Sequence, residues 1–393
     1  MRVLHIGPTP FFSDRGCHIR IRGLIHALTR RGIQCRLCTY HHGRETDGVE
    51  TVRSLRVSGY TQVDAGPAPL KYVADALLLA RVCGQLRRWR PDIVHAHLHE
   101  GALIGWAAST TMFWRRTPVI FDMQGSLVGE LQEYGYFQRD GMLRTLFERV
   151  ERFIDRRPAA IACSSRSSLE ITRARFGIAA ERLHLVADGV DAMPPAADGS
   201  ANLRRQLGLP DGVPIVVYTG SLLPVKGLST LHEVILSSAQ RGLGLHFLLV
   251  GYPTEQTAAF LRQHELSACC TLAERVPFER IGEYLGLGAI AIEPKVSDSG
   301  EASGKVLNYM AAGLPVVCFD TPNNREILGD SGCYASPGSA MSLVDQLETL
   351  SPDPARCEEL GRRGRARVQA QFSWDASAGR LLEIYRTVLR SAW

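Results

Sequence analysis

The sequence predicts an α/β protein made of two parallel-sheet, Rossmann-like halves, and two observations carry that prediction. Short apolar runs rich in Val and Ile alternate with helix-length periodic segments along the whole chain, the pattern of parallel strands joined by crossover helices. Near the middle, Asp188-Gly-Val-Asp-Ala-Met-Pro-Pro-Ala-Ala-Asp-Gly-Ser200 is rich in turn formers and has no periodicity, so it reads as a linker after which a second sheet starts afresh. At 393 residues the chain is long enough for two or three domains. The expected boundaries are 1–190, 191–372 and a closing helical segment, 373–393. Two such halves leave a cleft at the carboxyl ends of their strands, the usual ligand site of these sheets.

In the first half, strands are expected at 3–6, 34–40, 93–97, 119–122, 160–164 and 183–186. Helices fall between them. In 19–31, Ile21, Leu24, Ile25 and Leu28 recur at helical spacing before Gly32 stops the run. The second half offers strands at 215–218, 246–250, 290–292 and 316–319, and 374–389 reads as a final helix. No repeat of 20 to 50 residues and no low-complexity tract is present.

Composition excludes several classes. With 45% apolar and 22% charged residues the chain is ordinary globular protein, and its uncharged stretch 101–114 is far short of the roughly 20 apolar residues of a membrane span. The first residues lead straight into a strand without a basic and apolar leader, so a cytoplasmic location is expected. Ten dispersed cysteines read as reduced thiols. Cys35 and Cys38 form a CxxC inside a strand, where positions three apart point to opposite faces, so they read as packing residues. The net charge of +5 is uneven: residues 1–190 hold 27 Lys and Arg against 18 Asp and Glu, giving +9, and the remainder gives −4. The halves therefore have different partners.

The strongest local signal is Tyr218-Thr-Gly-Ser-Leu-Leu-Pro-Val-Lys-Gly-Leu228, a strand running into a glycine turn, a lysine and a helix. Such a loop aims backbone N–H groups and the Lys226 ammonium at one point, which suits a phosphate or diphosphate. Neither GxxxxGK[ST] nor a GxGxxG after a first strand occurs, so nucleotide hydrolysis and hydride transfer lose ground. Lysine is scarce: Lys71, Lys226, Lys295 and Lys305 stand against 41 arginines. A second anion site is expected where the small-residue loop Gly300-Glu-Ala-Ser-Gly304 enters a helix bearing Ser303, Gly304 and Lys305 at its N-terminus.

Five motifs in order resemble the family 4 retaining glycosyltransferases of the GT-B fold. Residues 216–227 resemble the donor loop G-R-L-x-x-x-K-G, and Lys305 to Val317 resembles K-L-x-E-Y-M-A-x-G-x-P-V-V. His184 to Asp191 resembles V-I-x-N-G-V-D, Pro91-Asp-Ile-Val-His-Ala-His97 resembles P-D-V-V-H-x-H, and Phe372-Ser-Trp-Asp375 resembles the F-S-W that opens a closing helix packed on the first domain. The resemblance implies two domains facing each other across a cleft, and transfer of a sugar from a UDP- or GDP-type donor with retention, needing neither metal nor cofactor. It implies that Lys226, with Lys305 beside it, holds the diphosphate, that Glu301 touches the sugar and that Asn308 faces the ribose. Gly220, Ser221, Val306 and Leu307 complete the donor side.

The chain departs from the pattern at three places. Ser221 replaces the arginine of the donor loop, Asn308 replaces the second glutamate of E-x7-E, and Gln124 in Pro118-Val-Ile-Phe-Asp-Met-Gln-Gly125 replaces a histidine. Glu293 and Glu301 do stand in E-x7-E spacing, but seven residues ahead of the register set by Met310-Ala-Ala-Gly313, so Glu293 is set aside. Without an imidazole at 124, the departing phosphate oxygen itself can take the acceptor proton. The expected acceptor side comprises Arg15, His97, His99, Glu100, Asp122 and Gln124. Arg15-Gly16 occupies the family's glycine-rich first loop, and Gly16 is expected to help close over the ligands.

The basic first half binds acceptors in this family, and it carries Arg87-Arg-Trp-Arg90 and Met112-Phe-Trp-Arg-Arg116. Aromatics beside arginines suit an anionic membrane surface, so a glycan or lipid-linked acceptor is expected, and no nucleic-acid motif accompanies the charge. Two other functions are compatible with the departures: a sugar-nucleotide-binding protein without transfer, and a GT-B sugar-nucleotide epimerase.

Overall fold

The computed structural model describes residues 1–63, 68–112, 116–137, 141–191, 193, 200–296 and 299–391. The chain divides into two compact units. The first is Met1–Gly189 with Asp298–Ala302 and Trp374–Trp393; the second is Val190–Ser297 with Ser303–Ser373.

The first unit is built on seven parallel strands: β1 (Arg2–Gly7), β2 (Gln34–Thr39), β3 (Thr51–Arg53), β4 (Ile93–His97), β5 (Val119–Met123), β6 (Ala160–Cys163) and β7 (Leu183–Leu185). Their order is β3-β2-β1-β4-β5-β6-β7. Strand alternation sorts the side chains onto two cores. Leu4, Ile6, Val94, Ala96 and Phe121 pack with Leu78, Val82 and Ala102 on one face. Val3, Ile93 and Ile120 pack with Leu24, Leu28, Trp374 and Leu381 on the other. Cys35 and Cys38 fall on opposite faces, and all ten cysteines are free thiols.

The second unit carries β8 (Ile215–Thr219), β9 (His246–Val250), β10 (Cys270–Ala273), β11 (Ile290–Glu293), β12 (Val316–Phe319) and β13 (Gly332–Ala335), all parallel, in the order β10-β9-β8-β11-β12-β13. In each sheet the order reverses once, between β1 and β4 and between β8 and β11. In open α/β sheets the carboxyl ends of the strands at such a reversal are the usual place for a ligand.

The expected strands are all present within a residue or two. Three were not expected, β3, β10 and β13, and each is a sheet edge where burial is partial and no continuous apolar run forms. The first helix begins at Gly16, three residues before its apolar periodicity becomes visible, and Arg31 and the left-handed Gly32 end it. The closing helix, Trp374–Ser391, belongs to the first unit. There Trp374 lies against Gly23, where an added Cβ would come 2.3 Å from the indole. Trp374→Ala should lower first-unit stability by about 3–5 kcal/mol, and Gly23→Ala should destabilise it too. Urea midpoints unchanged from wild type in both variants would refute this packing.

Candidate active site

In the second unit the site grows from the ends of β8 and β11. After Thr219 the chain turns at Gly220, whose φ of +124° is reserved for glycine and whose missing Cβ would lie 3.6 Å from Lys305 Nζ. A 3-10 turn, Pro224–Lys226, then leads to Gly227, also left-handed, and a Cβ there would come 2.7 Å from the carbonyl of Pro294. The loop after β8 is thus pressed against the loop after β11. The helix Leu228–Gln240 follows with no side chain capping its N-terminus.

Glu293 organises the opposite loop. Buried at the end of β11, its carboxylate accepts hydrogen bonds from Ser303 Oγ, from the backbone N–H of Lys295 at 3.1 Å and from Lys305 Nζ at 3.4 Å. Ser303 spends its hydroxyl on Glu293, so the N-terminus of the helix Gly304–Ala312 has no side-chain cap. Lys305 Nζ also donates to the Tyr218 hydroxyl at 3.2 Å and stands 4.4 Å from the centre of that ring. Burial and the Glu293 charge push the Tyr218 phenol up in pKa, and the Lys226 ammonium opposes them, so both lysines act on the same side chain. Tyr309 Oη accepts the Thr219 N–H at 2.9 Å and fixes the end of β8. Val306 and Leu307 are fully packed inside the unit, Asn308 is nearly so, and Ser221 is exposed.

In the first unit, β1, β4 and β5 bring polar groups together inside the sheet ends. Arg20, from the first helix, forms a fork on Asp122 at 2.6 Å, reaches Asp188 at 2.7 Å and donates to the carbonyl of Val186 at 2.9 Å. Burial alone would raise the Asp122 carboxyl; the Arg20 guanidinium and His97 outweigh it and hold the group well below the usual carboxylate range. His97 Nδ1 lies 2.8 Å from Asp122 and its Nε2 lies 3.0 Å from His5 Nδ1, so both its nitrogens are engaged. Burial keeps His5 and His95 neutral, with His95 pushed down to about 3. His95 Nδ1 meets the Tyr385 hydroxyl at 2.7 Å. Gln124 reaches Asp122 at 3.4 Å and is partly exposed, whereas His97 and Asp122 are wholly buried.

The remaining predicted residues separate from that group. Glu100 pairs with Lys71, and against the cost of burial this ammonium keeps its carboxyl low. Asp75 beside them accepts the Tyr40 hydroxyl at 2.6 Å, and burial lifts its carboxyl to about 6. Arg15 donates to Thr9 Oγ1 at 3.4 Å, just ahead of Gly16, where an added Cβ would meet open space. Glu301 belongs with the first unit, close to Gly125. Its neighbours are fixed there: Ser126 N–H donates to the Ser299 carbonyl at 2.8 Å and Ser165 Oγ to the Gly300 carbonyl at 2.6 Å. His99 leaves the strand ends altogether. It packs against Phe121 and approaches Glu151 at 3.5 Å and Asp155 at 3.8 Å.

Among the described residues, two clusters have ligand atoms close enough for a metal ion: His5, His95 and His97, and His99, Glu151 and Asp155. In the first, His97 has no free nitrogen; in the second, Glu151 spends its oxygens on the N–H groups of Leu127 and Val128 at 3.0 and 2.8 Å.

Residues 15–189 match the glycosyl transferase 4-like domain, and residues 213–353 match the glycosyl transferases group 1 domain. The chain belongs to the family 4 glycosyltransferases of the GT-B fold. Among its relatives is the alpha-D-kanosaminyltransferase of Streptomyces kanamyceticus, 26% identical over 94% of this chain and 99% of that one. Sucrose-phosphate synthase from Thermosynechococcus elongatus shares the fold with a TM-score of 0.81 at 18% identity, covering 99% of each chain. HepE of Anabaena, solved in complex with UDP-glucose, does so with a TM-score of 0.77 at 16% identity over 98% of this chain and 100% of that one.

Sequence reasoning on this transferase gave no role to Tyr218 and Tyr309 and set Glu293 aside in one unit, and gave no role to His5, Arg20, Lys71 and Asp188 in the other. Tyr218 and Glu293 sit at the ends of the two strands flanking the order reversal, a place the topology would have singled out. Arg20 carries no local signal; its partners are 102 and 168 residues away.

The His99 cluster makes stability depend on pH. Burial opposes its charge, but Glu151, Asp155 and Glu100 push the imidazole up to about 9. A group whose pKa is raised by folding contributes fully below its ordinary value of 6.5 and loses that contribution as pH climbs through about 9. The urea midpoint should therefore fall between pH 6.5 and 9, and fall less in His99→Gln. Parallel pH profiles for the two proteins would refute the coupling.

Proposed function

We propose that this transferase moves a sugar from a nucleoside-diphosphate sugar of UDP or GDP type to a hydroxyl of a glycan, lipid-linked or small-molecule acceptor, with retention and without a metal. The observation that carries the reading is Lys305 bonded to the Tyr218 hydroxyl, with the Lys226 ammonium opposing the rise in that phenol's pKa, beside two helix N-termini without side-chain caps, at the order reversal of the second sheet. Ammonium groups and free backbone N–H groups stabilise the charge that a diphosphate gains as it leaves. The UDP-glucose complex of HepE supports a nucleotide-sugar donor.

In the reaction the bond from the anomeric carbon to the diphosphate oxygen breaks while the bond to the acceptor oxygen forms on the same face. The acceptor proton passes to the departing phosphate oxygen, so Gln124 in place of a histidine costs no base. Glu301 is assigned to the sugar hydroxyls and Asn308 to a ribose hydroxyl through its amide. Arg15, Glu100 and Gln124 serve the acceptor, with His97 and Asp122 positioning Gln124 from within.

Lys226→Ala should cut kcat by roughly a hundredfold, about 3 kcal/mol of transition-state stabilisation. Near-normal turnover would mean that the loop's backbone suffices. Asn308→Ala should weaken UDP binding measured by calorimetry, and unchanged affinity would remove its ribose role. Activity should persist in EDTA. Binding of UDP-glucose or GDP-mannose without turnover across an acceptor panel would make the protein a sugar-nucleotide binder instead.

A further inference from the structure

The described residues of the two arginine–aromatic segments singled out in the sequence do not form an exposed apolar surface. Trp89 is covered by Arg36 at 4.7 Å, Met112 is buried, and residues 113–115 lie outside the described residues. A different element does. The helix Met142–Asp155 leaves Met142 90%, Leu146 53%, Leu143 48%, Phe153 41% and Val150 39% exposed. At about 100° per residue these five fall within one arc of roughly 100°. Arg149, Arg152 and Arg156, all exposed, form the adjoining arc. Arg157 lies 4.1 Å over the Phe153 ring and 4.9 Å over Trp106, which meets Phe153 edge-on at 5.5 Å.

The acids of this helix point elsewhere. Glu148 pairs with Arg144 and Arg175, while Glu151 and Asp155 are buried. Its exposed half is thus an apolar stripe bordered by cations, with no carboxylate. We propose that the helix Met142–Asp155 docks on an anionic lipid bilayer, lying in the plane of the surface with its apolar arc at the acyl boundary and its arginines on headgroup phosphates. At 14 residues it is about 21 Å long, too short to span. Charge complementarity selects the lipid over a second copy of the chain, because an isologous pairing of this face would set arginines against arginines.

The docking face is mechanically tied to the acceptor side. From the buried side of the same helix, Glu151 accepts the N–H groups of Leu127 and Val128 and the Ser126 hydroxyl, directly after Gln124 and Gly125. Resting on the proposed function, this places a lipid-linked or membrane-proximal acceptor within the class already named.

Flotation of the full chain with phosphatidylglycerol–phosphatidylcholine vesicles at low salt tests the docking. Wild type should float with these vesicles, and binding should fall about tenfold with phosphatidylcholine alone, at high salt, and in Leu146→Glu or in Arg149→Gln/Arg152→Gln. Leu55→Glu, exposed elsewhere on the first unit, should float like wild type. The arginine pair keeps the test decisive if Leu146→Glu does not fold. No wild-type flotation, or equal flotation of the folded variants, overturns the proposal. So does a dimer in light scattering that Leu146→Glu dissociates, or wild-type flotation that is indifferent to lipid charge. Flotation involves no sugar transfer, so its failure leaves the proposed activity standing.

Discussion

A single buried carboxylate, Glu293, holds the candidate site of the second unit in shape. It draws in the Lys305 ammonium, the Ser303 hydroxyl and the Lys295 N–H, and thereby sets where the helix Gly304–Ala312 begins and which way its N-terminus faces. A buried anion is tolerable only when it is paired, and here Lys305 supplies the cation. Lys226 and Lys295 lie on the two loops that leave β8 and β11 and Lys305 in the first turn of the helix Gly304–Ala312, three of the four lysines in the chain. The fourth, Lys71, is bound to Glu100 in the first unit. A compact ammonium thus stands at each of the two candidate sites, in a chain whose other positive side chains are arginines.

The first unit meets the same difficulty with a different cation. Arg20 satisfies Asp122 and Asp188 together, and the planar fork that does so also closes the first helix onto β5 and the end of β7. His97, His5 and His95 extend this polar layer to Tyr385 of the closing helix. The result is a rigid floor beneath Gln124 rather than a set of exposed catalytic groups.

Much of the fold could be read from the sequence because strands buried on both faces announce themselves as apolar runs, as Ile93 to His97 and His246 to Val250 do. Edge strands such as Thr51–Arg53 are half-covered and give no such signal. The geometry of the loop after β8 was legible for a local reason: glycines with positive φ, a lysine and a helix start lie within nine residues of Thr219. Glu293 was found by its E-x7-E spacing and set aside because the register of Met310-Ala-Ala-Gly313 was preferred, whereas its place at the end of β11 beside the order reversal marks it out. The acceptor side was the least legible. His99 follows His97 by two residues, yet the turn into the helix Leu98–Thr110 sends it toward Glu151 and Asp155. Arg20 and Lys71 owe their roles to partners distant along the chain, which no local pattern can reveal.

The allocation of Asp298–Ala302 and Trp374–Trp393 to the first unit carries a consequence for covalent connectivity. The chain passes between units after Gly189, Ser297, Ala302 and Ser373, four times in all. Neither unit is therefore a contiguous gene fragment. A polypeptide cut at the linker would yield an amino-terminal piece lacking the Trp374 wedge beside Gly23 and the Ser299–Gly300 strap on Ser126 and Ser165, and only complementation by the carboxyl-terminal piece could restore them.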